Sequence, residues 1–259
     1  MGGEMRGVFT IANLTFREAI REKIFYNLVV FALLFIAVGA EASYFVIGDW
    51  ERIVKDISLS SIEIFGVLIA TFLGVGLIAR EVEKRTVYTV LSKPISRASY
   101  VLGRYIGLLM ILAVNSLLML CALLAALWFA RSPVELATIE AFVLIFFQFM
   151  LIAGFAVLFS SFTTQTLGAI ICLTLYIIGH LSADLKYFMS EKFSISLRAL
   201  SKSVYYALPN LELLNLKPQA TYGITSEWSY ILYASLYGLL YTSALLTITI
   251  LIFNKRDLK

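Results

Sequence analysis

The stretch Arg80–Arg104, REVEKRTVYTVLSKPISRASYVLGR, decides how this sequence is read. It carries Arg80, Glu81, Glu83, Lys84, Arg85, Lys93, Arg97 and Arg104, and the runs on either side of it are apolar enough to dissolve in lipid. This piece belongs in water. Its centre, Glu83–Leu91, holds neither Gly nor Pro and predicts two helical turns. Pro94 ends them, because the residue before a proline is pushed out of the α region. Two readings stand: a docking element for a cytoplasmic component, or a solvated loop whose positive charges fix orientation.

The composition is 60% hydrophobic and 15% charged, with a mean hydropathy of +0.88. Soluble domains carry about a quarter charged residues, so the chain is an integral membrane protein. Its 259 residues hold several spans and no sizeable soluble domain. The net charge of +4 does not point to nucleic acid, because the basic residues cluster beside spans, where they set topology. Cys121 and Cys172 fall inside apolar runs and read as small core residues, not as a disulfide or metal pair.

Six apolar runs are each near the ~20 residues that cross a bilayer core. They are Ile24–Ile47, Leu59–Ala79, Tyr105–Ala130, Ile139–Ser160, Leu167–Phe188 and Ser229–Phe253. Backbone groups cannot go unsatisfied in lipid, so each predicts a helix and the fold is all-α. All four prolines lie between runs. Before the first run, Phe9, Ala12, Phe16 and Ile20 recur at helical spacing with Arg17, Glu18, Arg21 and Glu22 on another face. This predicts a helix over residues 1–23 lying in the membrane interface. The AVGAEA stretch resembles a signal-peptidase site, but the charged region before it is too long and too acidic for a signal peptide.

Lys and Arg number thirteen on the side that holds both termini and the 80–104 loop, against eight on the other. The excess predicts that both termini are cytoplasmic. Trp50, Trp128 and Trp228 then form an outer interfacial belt. Residues 189–228 make the one long external segment, with a surface helix expected over Phe193–Tyr206. Gly66, Ala70 and Gly74, and the pair Gly103 and Gly107, serve close helix packing, either within one chain or between subunits.

No phosphate loop, Rossmann or kinase glycine pattern, HExxH, GxSxG or paired-cysteine signature occurs. Uphill movement would draw its energy from a partner or an ion gradient. The ionisable residues within or at the ends of spans are Glu41, Glu63, Glu140, His180 and Asp184, all expected in the outer half. His180 and Asp184 share a helical face, so a carboxylate can hold the imidazole charged. They form a proton relay or polar gate at the outer mouth, or interfacial polar residues in contact with water. Asn27, Thr71, Asn115, Ser116, Gln148 and Thr174 supply the uncharged polar groups assigned to the inner half. A gradient-driven transporter would more usually carry carboxylates near the midplane.

Four segments carry a resemblance: FREAIREKIFYN (Phe16–Asn27), the Arg80–Arg97 stretch followed by YVLGRYIG, YYALPNLELLN (Tyr205–Asn215), and FNKRDL (Phe253–Leu258). In this order on six spans, the whole chain resembles a permease of the ABC-2 exporter family, closest to its NosY-like subgroup. The resemblance implies a single transmembrane domain over residues 1–259, paired with a second permease copy, as a homodimer, and two cytoplasmic ABC ATPase subunits. ATP and Mg would be bound by the ATPase and none by this chain. It also implies that Glu81, Glu83, Lys84 and Arg85 make polar contacts of a coupling helix, with Val87, Tyr88 and Leu91 as apolar anchors. The outer segment would close the exit and is open to an extracytoplasmic partner. The inner (plasma) membrane is the implied location. A gradient-driven transporter or a channel without an ATPase is the competing reading.

Overall fold

A computed structural model of the chain describes residues 2–43, 50–83, 96–129, 132–182, 194, 198–199, 201–203, 205 and 208–255. The described residues are helical, with no strand among them. The helices are α1 (Gly2–Ile20), α2 (Lys23–Ser43), α3 (Trp50–Glu83), α4 (Arg97–Phe129), α5 (Leu136–Ser160), α6 (Gln165–His180), α7 (Lys217–Thr221) and α8 (Trp228–Lys255). A 3-10 turn, Leu211–Leu214, precedes α7.

Four helices, α3, α4, α5 and α8, are each long and apolar enough to cross a membrane. A fifth is reached when α1 and α2, which meet at 65°, are taken as one bent span. At 16 residues, α6 is apolar but shorter.

The charged connection is shorter than the sequence suggests. α3 runs on to Glu83 and α4 starts at Arg97, so Arg80 and Arg104 sit on helices and not in a loop. Long basic side chains at a helix end reach polar partners without breaking the helix. The same holds at the other end of α3, where Trp50–Ser58 is helical with Val54 and Ser58 buried. The expected helix at Glu83–Leu91 lies almost wholly outside the described residues, and so does half of Phe193–Tyr206.

α5 organises the bundle. It is apolar on every side, the pattern of a helix enclosed by others, and it packs against α3, α4, α6 and α8. Small residues set its spacing from α3. A Cβ on Gly66 would fall 2.0 Å from the Phe149 ring, and one on Gly74 would fall 2.6 Å from Ala156 Cβ. Gly103 and Gly107 do the same between α4 and α1, facing Ile11 and Thr15. Both small-residue motifs therefore act within the chain.

α1 presents Ile11, Ala12, Thr15 and Ala19 to the protein, all buried, while Phe9 is 68% exposed. The helix thus has an apolar outer edge and a second, protein-facing side of small residues.

Candidate functional site

Two polar constellations stand along α3, one near its C-terminal end and one nearer its middle. Glu63 and Arg80 are 17 positions apart, about 25 Å along a helix.

At the Arg80 end, ion pairs tie α1 to both helices that border residues 84–95. Arg104 of α4 is 1% exposed; its Nη1 donates to Glu18 Oε2 at 2.7 Å and to Thr15 Oγ1 at 3.1 Å. Its guanidinium also lies 5.5 Å above the Tyr100 ring. Burying a guanidinium is costly unless it is paired, and here a carboxylate, a hydroxyl and an aromatic face surround it. Arg80 of α3 pairs with Glu22, just beyond α1, and its Nε donates to Gln165 Oε1 at the start of α6, 3.0 Å away. Arg97, the first residue of α4, donates from Nη1 to the carbonyls of Phe253 and Asn254 at 2.9 and 3.0 Å. Those carbonyls belong to the last described turn of α8, and a charged donor makes a strong hydrogen bond to each. Tyr100 stacks on Phe253 beside it, centroids 5.6 Å apart.

One turn before Arg80, the buried Ser160 of α5 enters the hydrogen-bond ladder of α3. Its Oγ accepts from the amides of Ile78 and Ala79, each at 2.9 Å, and donates to the Val75 carbonyl at 2.6 Å. A side chain interposed between an amide and its i−4 carbonyl is a recognised place for a helix to bend.

Between α1 and α3 lies a cavity of about 390 Å³. Thr15, Glu18, Ala19 and Glu22 face it from one side, and Leu73, Gly76, Leu77 and Arg80 from the other, with Arg21 and Arg104 completing the lining. Both sets recur at three- and four-residue steps, so the second is one face of α3 and the first is a face of α1 continued by Glu22 just beyond it.

Nearer the middle of α3, Glu63 is 1% exposed. Its Oε1 accepts from Gln148 Nε2 and Tyr176 Oη at 2.9 Å each, and His180 Nε2 stands 2.8 Å away. Lys217 pairs with its Oε2. His180 Nδ1 faces Glu212 Oε2 at 3.5 Å, and its ring meets Tyr176 edge to face. α3, α5, α6 and α7 thus converge on one carboxylate, and four donors compensate its burial.

The segment over this cluster is held down locally. Asn210 Oδ1 accepts from the Glu212 amide and caps the 3-10 turn, while its own amide donates to Tyr237 Oη at 2.9 Å. Leu211 and Leu214 are fully buried, and Leu211 fills the space beside Gly179. Nearby, Lys55 pairs with Glu135 at 2.8 Å, and Glu140 Oε2 accepts from the Ser226 amide at 2.9 Å.

Of the residues singled out from sequence, Glu63 and His180 come together. Glu41 is exposed on α2 and stands outside this cluster. α6 ends at His180, and Asp184 falls outside the described residues; among the described residues the carboxylates at the imidazole are Glu63 and Glu212. Lys84, Arg85, Val87, Tyr88 and Leu91 also lie outside the described residues, and Glu81 and Glu83 close α3 with their side chains outside them. Tyr176, Glu212 and Lys217 were missed by the sequence reading. Gln148, grouped by sequence with the inner half, is the central residue of α5 and binds Glu63. A lone amide in an otherwise apolar run was the one signal available for it.

No curated protein matches the sequence significantly. The family model of ABC-2 family transporter proteins matches residues 9–258, nearly the whole chain. With several apolar helices long enough to span a bilayer, this is a multi-pass membrane component of a transporter, and the chain belongs to the ABC-2 family.

Proposed function

We propose that this chain is the permease of an ATP-driven exporter, crossing the inner membrane six times with both termini and residues 84–95 in the cytoplasm. Two copies would work with two ABC ATPase subunits, which bind ATP and Mg. The four motifs at Phe16–Asn27, Arg80–Gly107, Tyr205–Asn215 and Phe253–Leu258 favour the NosY-like subgroup. One observation carries the reading. Arg80 and Arg104, on the two helices that border 84–95, are both tied to the α1 arm, through Glu22 and Glu18.

A load on 84–95 therefore moves α1, α3 and α4 together. In this mechanism, Glu81, Glu83, Lys84 and Arg85 give the segment its polar grip on the ATPase, with Val87, Tyr88 and Leu91 as anchors. ATP binding closes the ATPase pair and draws on this base. α3 bends at Ser160 and carries the remainder toward Glu63, as packed elements switch between discrete arrangements. The Glu63 cluster is the outer gate, with residues 208–221 as its cover.

The test is purification from the native membrane in mild detergent, with identification of bound proteins and an ATPase assay. A stoichiometric ATPase whose activity falls when Glu83 or Arg85 is replaced supports the assignment; normal stimulation in both variants sinks it. A second reading has one specific observation in its favour. Glu63 reaches the midpoint of α5 at Gln148, where a gradient-driven carrier would hold its proton or ion. Flux from the chain reconstituted alone, with Glu63→Gln abolishing it, would establish that reading instead.

A further inference from the structure

We infer that the cavity between α1 and α3 binds the phosphate headgroup of an anionic lipid from the leaflet in which α1 lies. This rests on the proposed placement of α1 as an interfacial helix on the cytoplasmic side.

The wall formed by α3 changes character along its length. Leu73 and Leu77 come first and Arg80 closes it, about 10 Å from Leu73 along the axis. That is the depth over which an interfacial helix passes from acyl chains to headgroups. An amphiphile with its tail on the leucines and its phosphate at Arg80 matches this order.

Charge decides which amphiphile. Arg21, Arg80 and Arg104 line the cavity together with two carboxylates, Glu18 and Glu22; these pair with Arg104 and Arg80, which leaves the charge of Arg21 in excess among the described lining residues. A phosphate without a compensating cation neutralises it; a choline-bearing headgroup does not. Guanidinium is suited to the task, since its planar fork matches phosphate oxygens. Gly76 keeps the space for it. A Cβ there would lie 3.0 Å from Arg80 Nε, where the guanidinium folds back along its own helix. Glu22 is the internal competitor, already paired with Arg80.

The test uses the full-length chain in mild detergent, with native mass spectrometry counting retained lipid. Phosphatidylglycerol, phosphatidylcholine and inorganic phosphate are supplied separately and in competition. One phosphatidylglycerol is expected per chain, with phosphatidylcholine retained about fivefold less, the weight of one basic residue near an anionic surface. Arg21→Gln, at an exposed position, lowers retention by a similar factor, and Glu22→Gln raises it. Equal retention of the two lipids, or no change in either variant, overturns the proposal. So does full displacement by inorganic phosphate, which would assign the cavity to free phosphate. The lipid count does not depend on an ATPase co-purifying, so failure of the exporter reading is scored separately.

Discussion

Ser160 stands inside the turn of α3 that Val75 begins: its hydroxyl donates to the Val75 carbonyl at 2.6 Å while accepting two amides from the next turn. The bond between two helices is thereby built into the backbone of one of them, just before the Arg80 base. Ser160→Ala removes the hydroxyl from the α3 ladder and with it the bond between the two helices at this turn. The expected outcome is a chain that inserts normally, with stability changed by about 1 kcal/mol, but with less transport per ATP hydrolysed. Transport and hydrolysis measured side by side in vesicles check this.

Arg104 depends on Glu18 more than Glu18 depends on Arg104, because the guanidinium is buried and the carboxylate half-exposed. Glu18→Gln should cost about 2 kcal/mol, below the ~3–5 of a fully buried pair. Arg104→Lys should not rescue function, since an ammonium cannot reproduce the fork. A cysteine placed at Ile11, protected against α4 in the wild type, should become reactive to thiol reagents in the Glu18 variant.

Lys217 is the full charge that answers Glu63. Lys217→Met leaves a buried carboxylate with neutral donors and an imidazole, and should lower stability by about 3–5 kcal/mol. Adding Glu63→Gln should restore most of that loss, a coupling that a double-mutant cycle of thermal unfolding in detergent will measure.

Gly107 and Gly238 offer a matched contrast. A Cβ at Gly107 would meet the Ala12 carbonyl oxygen at 2.7 Å, a backbone atom that cannot move aside, whereas one at Gly238 meets Phe147 at an ordinary 3.5 Å. Gly107→Val should detach α1 and reduce assembly with the ATPase; Gly238→Ala should be silent. Yield of the assembled complex on size exclusion reports both.

The apolar runs were legible because lipid permits so few backbone arrangements, and α1 was legible as a helix from its spacing. The inner face of α1 was not, since Ala12, Thr15 and Ala19 are too small to register as an apolar stripe; their meaning lies in the Gly103 and Gly107 surface they meet. The Glu63 cluster was half legible. Glu63 and His180 announce themselves as ionisable groups among apolar neighbours, but Lys217 and Glu212 look like ordinary loop charges. Only the convergence of α3, α6 and the turn at 211–214 gives them a partner, and nothing in local spacing encodes which helix faces converge. Arg80 and Arg104 were read as loop charges because charge marks the end of a lipid-soluble run even where the helix continues.

Glu63 has a consequence for how the helices around it move. One carboxylate is shared by donors from three other helices, so no one of those helices can withdraw and leave the rest at ease. Partial opening strands a charge in a low-dielectric interior; complete opening hydrates it. The intermediate positions are therefore the least favourable ones, and small thermal excursions of any single helix do not add up to a separation. A cluster held in this way stays together until a change large enough to wet all of it arrives, and it then yields at once.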